Sequence, residues 1–215
     1  MILALAACAA CGGGGTPGEY SLPVPRPGTY QLVDITRGGS HFREVVARTG
    51  TRVTVISEGG PADAVSIYDA RADGLHLVAI DTAGPGAQHC RPGAKGSLYL
   101  PSRVRLRQTW VASMDCHGII PGALDTQDFT VYVSGGAAGT ETVLVGGRPT
   151  LAVDVAYTLQ LIDARGRQDQ LSSISDTVDT ATGLPVRTES HSQGAAGSLS
   201  DTYQFVTFAT PTPSR

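Results

Sequence analysis

Helical patterning is what this chain has least of. No segment carries the apolar stripe at three- and four-residue spacing, bounded by caps, that an amphipathic helix needs. Charge is also scarce, at 16% of residues, and aromatics make up 6%. Those shortages exclude a coiled coil, a helical bundle and a charge-rich disordered chain. A net charge of −3 gives no general attraction to nucleic acid, whose binders are basic, so no nucleic-acid partner is expected. No apolar run reaches the ~20 residues of a membrane-crossing helix. The serine elbow G-x-S-x-G, the metalloprotease helix motif, the Walker loop and the dinucleotide fingerprint are all missing. No catalytic residue and no cofactor is therefore assigned.

Glycine and proline are abundant instead, 27 and 13 of 215 residues, and hydrophobic residues reach 41%. The dominant rhythm is period two. Leu151, Val153, Val155, Tyr157, Leu159 and Leu161 fall on one face of a single segment, with Ala152, Asp154, Ala156, Thr158 and Gln160 on the other. A half-buried strand gives that pattern and a helix does not. Val53 and Val55, Leu75 and Leu77, Val104 and Leu106, and Tyr203 and Phe205 repeat it more weakly. Turn signals such as Gly59-Gly60, Asp73-Gly74, Gly146-Gly147 and Arg165-Gly166 separate these segments, which is the pattern of antiparallel hairpins. The expectation is all-β: about a dozen strands in a long antiparallel meander forming a strongly curved sheet or half-barrel, with little or no helix. The strand from Thr150 to Asp163 would run roughly 45 Å, long for a compact sandwich.

The N-terminus, Met1 to Gly15, is an apolar run ending in small residues and then glycines, the tail of a secretory signal peptide. Leu5-Ala6-Ala7-Cys8 resembles the lipobox of bacterial lipoproteins, in which the cysteine is lipidated and becomes the first mature residue. Cys11 is a second candidate and runs directly into the glycines. The stretch before Cys8 is short and has no basic n-region, which reads as an internal start with upstream residues missing. The expected organisation is therefore a truncated lipoprotein signal over 1–11 and a Gly/Pro tether over 12–27. A single all-β domain then covers 28–208, with a disordered tail over 209–215. A lipid anchor on such a tether holds the domain at the outer face of the cell membrane.

Further motifs carry a wider resemblance: Gly28-Thr29-Tyr30 opening the domain, Asp73-Gly74-Leu75, a cysteine before a Leu/Pro stretch, Trp110 after it, and Thr182-Gly183-Leu184-Pro185-Val186-Arg187. These are similar to uncharacterised lipoproteins of the actinobacterial cell envelope. Their meander is in turn similar to the curved-sheet carriers of the LolA, LolB and LppX type. That resemblance implies a concave apolar face able to hold an acyl chain.

Cys90 and Cys116 each stand beside a histidine, His89 and His117. Zinc is one reading. Adjacent residues of an extended chain point to opposite sides, so neither pair chelates one ion readily, and no metal is assigned. An exported chain favours a disulfide between the two thiols. Ile80-Asp81-Thr82-Ala83 approaches the aspartic-protease signature, but Ala83 stands where glycine belongs and no second copy exists; a turn is the better reading. Arg103, Arg105 and Arg107 alternate along one segment, either as a solvated charged edge or as a ladder for an anionic envelope ligand.

The sequence thus suggests a lipid-anchored envelope protein that acts as a binder and not as an enzyme. An apolar or lipidic ligand would lie on Val153, Val155, Tyr157 and Leu159. The alternatives are a structural or interaction module with a filled core and, more weakly, a hydrolase.

Overall fold

The computed structural model describes residues 18–36, 39–59, 63–84, 86–120, 125–194 and 197–209. Cys8, Cys11, the first part of the tether and all but Ala209 of the expected tail lie outside the described residues. No helix occurs among those described.

The strands are β1 (Glu19–Ser21), β2 (Gly28–Asp34), β3 (Ser40–Thr49), β4 (Arg52–Glu58), β5 (Ala64–Arg71), β6 (Gly74–Thr82), β7 (Gln88–Pro92), β8 (Leu98–Pro101), β9 (Arg103–Arg105), β10 (Thr109–Ile119), β11 (Thr126–Val145), β12 (Arg148–Asp163), β13 (Gln168–Asp179), β14 (Pro185–Gly194) and β15 (Gly197–Ala209). Twelve of them pair side by side in the order β5, β4, β3, β2, β15, β14, β13, β12, β11, β10, β7, β6, and β6 pairs back onto β5. The curved sheet therefore closes completely into an antiparallel barrel, going beyond the half-barrel expected. Closure leaves neither edge of a long meander unpaired. Strand β8 extends β6 at its start, and β1 and β9 form a separate two-stranded ribbon.

Alternation decides which side chains enter the lumen. In β2 the residues Gly28, Tyr30, Leu32 and Asp34 are buried and those between them are not. In β10, Trp110, Ala112, Met114 and Cys116 point inward while Val111, Asp115 and His117 are exposed. Bulges at Ala137/Gly139 and Leu161/Ile162 bend the long β11–β12 hairpin around the barrel. Its tip, turning at Gly146-Gly147, projects past the end of the barrel and leaves Leu144 exposed.

The described chain ahead of Gly28 is also part of the fold. Strand β1 pairs with β9, and the Leu22 amide donates to the Ser102 carbonyl at 2.8 Å. Leu22 is buried, and Tyr20 and Val24 pack on the core. This strap crosses the barrel end formed by the starts of β2 and β14 and presses on Gly183. A Cβ there would lie 1.8 Å from the Pro23 carbonyl oxygen, and the residue holds φ at +74°. Only glycine fits both demands.

Candidate functional site: the barrel lumen

Register places the functional side chains. Tyr30 of β2 faces Glu44 of β3, and Glu44 faces Ser57 of β4. Across the ring, Val155 of β12 faces Asp176 of β13, which faces Thr188 of β14. All of these positions are on the inner face.

Three tyrosines cross the lumen. Tyr68 enters from β5 and Tyr157 from β12, and Tyr99, carried by β8, lies between them. Its ring stacks on Tyr157 at 5.2 Å with planes 13° apart and tilts against Tyr68 at 5.3 Å. The Trp110 indole meets Tyr157 edge-on at 6.1 Å, and its Nε1–H donates to the Tyr99 carbonyl at 2.9 Å. These contacts tie β8 to the tyrosine layer. Burial pushes the Tyr68 hydroxyl up to about 12 and holds those of Tyr99 and Tyr157 well above the ordinary tyrosine value. All three are neutral hydroxyls.

Beside this layer lies a cavity of about 260 Å³. Its walls are mainly apolar, from Val46, Val53, Val55, Leu75, Leu100, Ile174, Val178 and Leu184, with the tyrosines on one side and Pro25 of the strap against it. The charged residues lining it are Glu44 and Asp176, and no Lys, Arg or His among the described residues joins them. Loss of solvent raises the Asp176 carboxyl to about 6, opposed by a 2.7 Å hydrogen bond donated by the Thr188 hydroxyl. Burial also raises Glu44; the Ser57 hydroxyl at 3.2 Å works against the shift, and the negative charge of Asp176 adds to it. Both carboxyls lie inside the barrel yet keep accessible surface, because they face the cavity.

The residues singled out from sequence are distributed unevenly around this site. Val153 and Val155 are fully enclosed in the core, Tyr157 lines the cavity, and Leu159 packs against the core further along β12. Arg103 and Arg105 lie on β9, outside the barrel ring, with guanidinium nitrogens 3.7 and 3.8 Å from Glu19 carboxylate oxygens. Arg107 falls in the following turn at φ +68°. The three arginines share a shallow surface pocket with Glu19, away from the lumen.

Cys90 and Cys116 are directly opposed on β7 and β10 and joined by a disulfide. Both sulfurs point inward, while His89 and His117 point outward. On that outer face Asp81, His89, His117 and Asp128 form one row across four strands. His89 Nδ1 lies 3.1 Å from Asp81, and His117 Nδ1 lies 2.7 Å from Asp128. Arg91 donates to Asp81 at 2.8 Å, and this bond, with His89, holds the Asp81 carboxyl below the usual carboxylate value. An acid that is firmly ionised and ion-paired is not one sharing a proton with a second carboxylate. Among the described residues no group of three or more His, Cys, Asp or Glu side chains is arranged to hold a metal ion.

Glu44 and Asp176, the charged members of the cavity, carry little signal in the sequence. Strand β13 sends Gln170, Ser172, Ile174, Asp176 and Val178 inward, a mixed set without period two. Pairing β13 against the strongly alternating β12 is the one step that would have placed Asp176 opposite Val155.

No family model and no curated protein matches the chain. Among solved structures it is similar to the hypothetical lipoprotein YmcC from Escherichia coli (K12). The two share 15% sequence identity and a TM-score of 0.45, over 92% of this chain and 86% of that one. A likeness of that degree carries no activity or ligand to this chain.

Proposed function

We propose that the chain is a non-enzymatic envelope lipoprotein, anchored at the outer face of the membrane through Cys8 or Cys11, whose barrel lumen binds an apolar or lipidic ligand. The observation that carries the reading is the cavity of about 260 Å³ with apolar walls inside the barrel. Pockets for small ligands are typically ~300–1,000 Å³, so this one suits a head group or a short apolar segment. Each buried methylene would contribute roughly 0.8 kcal/mol. The lipobox-like Leu5-to-Cys8 segment and the resemblance to actinobacterial envelope lipoproteins support the location. The strap leading from that segment lies over the cavity, with Pro25 in its wall.

Native mass spectrometry of the gently purified chain tests the ligand: a co-purifying lipid mass supports it, and a clean apo mass counts against it. Metabolic labelling with a fatty-acid analogue tests the anchor. Label that survives both Cys8→Ala and Cys11→Ala overturns it.

A second reading, a structural module with a filled core, is favoured by the dense packing of the rest of the lumen around Val153, Val155 and Trp110. The same mass measurement separates the two.

A further inference from the structure

Resting on the reading of the lumen as a ligand site, we infer that its ligand carries a cationic amine, held between Glu44 and Asp176, with a short apolar part against the valine and leucine walls. A fatty acid or a bare phosphate head would meet two carboxyls of its own sign.

The geometry narrows the ligand in three ways. First, two acids face one partly open space that no protein cation enters among the described residues. Carboxylates held away from water are costly unless paired. Thr188 and Ser57 each occupy one oxygen position, whereas a carboxylate offers about four lone-pair sites. Most of the accepting capacity is left for a donor-rich guest, and an ammonium supplies up to three N–H groups.

Second, Tyr157 is 3% exposed and lines the cavity, yet its hydroxyl makes no hydrogen bond to the described residues. The hydroxyl is thus open to a partner in whatever fills the space. Third, Tyr68, Tyr99 and Tyr157 line the same space, and aromatic rings favour a desolvated cation beside them. Size sets the limit on the rest of the molecule. About 260 Å³ equals the liquid volume of roughly nine waters, room for an amine head and a few methylenes.

The test is calorimetric titration of the full chain with three soluble probes of equal length: hexylammonium, 1-hexanol and hexanoate, at pH 7.5. Hexylammonium should bind about tenfold or more tighter than hexanol, and hexanoate weakest. Asp176→Asn and Glu44→Gln should each bring the amine down towards hexanol, narrowing the gap between the two probes. Should either variant fail to fold, the native chain still decides the matter. Lowering the pH from 7.5 to 5 protonates Asp176, whose carboxyl titrates at about 6, and should weaken hexylammonium about tenfold with no change for hexanol. Equal binding of all three probes, tighter hexanoate, or a pH-independent amine affinity overturns the inference and leaves the lumen as an apolar ligand site. Binding of none of the three overturns both readings together.

Discussion

Trp110 and Tyr157 meet edge to face at 6.1 Å across Gly135, which stands in register between them, paired to Trp110 on one side and to Tyr157 on the other. The glycine makes this contact possible. A Cβ at position 135 would lie 2.4 Å from the Trp110 ring atoms Cε2 and Nε1, so the indole occupies the space a side chain would take. Trp110 in turn holds β8 through Tyr99, which links one small residue of β11 to the tyrosine layer beside the cavity.

Gly135→Ala should therefore displace the indole and destabilise the barrel by about 1–3 kcal/mol, the usual cost of overpacking a core. As the chain has a single tryptophan, the emission spectrum reports on that ring directly. The expected result is a lower urea midpoint together with red-shifted native emission. An unchanged spectrum would mean that Trp110 does not lie over Gly135.

The disulfide closes a loop between residues 26 apart in sequence. In the chain-entropy picture such a loop contributes about 3.5 kcal/mol by restricting the unfolded chain. The Cys90→Ala/Cys116→Ala double variant should lose stability on that scale while keeping the β-sheet circular dichroism spectrum, since β7 and β10 remain paired over five positions. Under non-reducing conditions the native chain should show no free thiol at either position by alkylation mapping. Quantitative labelling of both in folded protein refutes the bridge.

Most of the barrel is written in residues that alternate strongly. Leu151 to Leu161 mark β12 almost to its observed limits, and the Gly-bearing turns at 73–74, 146–147 and 165–166 each join neighbouring strands. Other features escaped that logic. Strand β13 faces its partly polar side inward because it borders the cavity, so period two carries no information about which face is buried. The pairing of β15 with β2, which brings the two ends of the meander together, and the placement of Tyr99 by β8 are long-range pairings, set by barrel geometry and invisible to any local pattern. Arg103 and Arg105 share an exposed face as their spacing implies, but nothing local reveals that β9 pairs with β1 and not with the main sheet. The site was legible in its apolar half, through Tyr157, and not in its acidic half.

The carboxyl of Asp176 gives the barrel a defined pH dependence. Its folded value is about 6, above the ordinary 3.8, so between those limits the folded chain binds the proton more tightly than the unfolded one. Stability from this group is present below about pH 4 and falls as pH rises through 6. The full difference is on the order of 3 kcal/mol, reduced by the partial accessibility of the group to the cavity. Asp176→Asn should then be on the order of 1–3 kcal/mol more stable than the native chain at pH 7.5 and no more stable at pH 4. Urea denaturation at the two values measures this, and parallel pH profiles for both proteins would refute the desolvation of Asp176.

Glycine 183 offers the sharpest test of the strap, because Gly50 supplies its control. Both residues hold positive φ, at 74° and 60°, so alanine at either position carries a similar left-handed cost of about 1 kcal/mol. They differ in surroundings. A Cβ at 50 meets nothing within 4 Å, whereas one at 183 would overlap the Pro23 carbonyl oxygen, backbone that has no rotamer by which to withdraw. Gly183→Ala must lift the segment around Pro23 off the barrel end, and with it the buried Leu22 anchor. Its stability loss should exceed that of Gly50→Ala by about 1 kcal/mol or more. Limited proteolysis should cut between residues 18 and 27 in the Gly183 variant and not in the Gly50 variant. Equal losses and equal digestion patterns would show that the strap does not rest on Gly183, and the cavity wall that includes Pro25 would have to be redrawn.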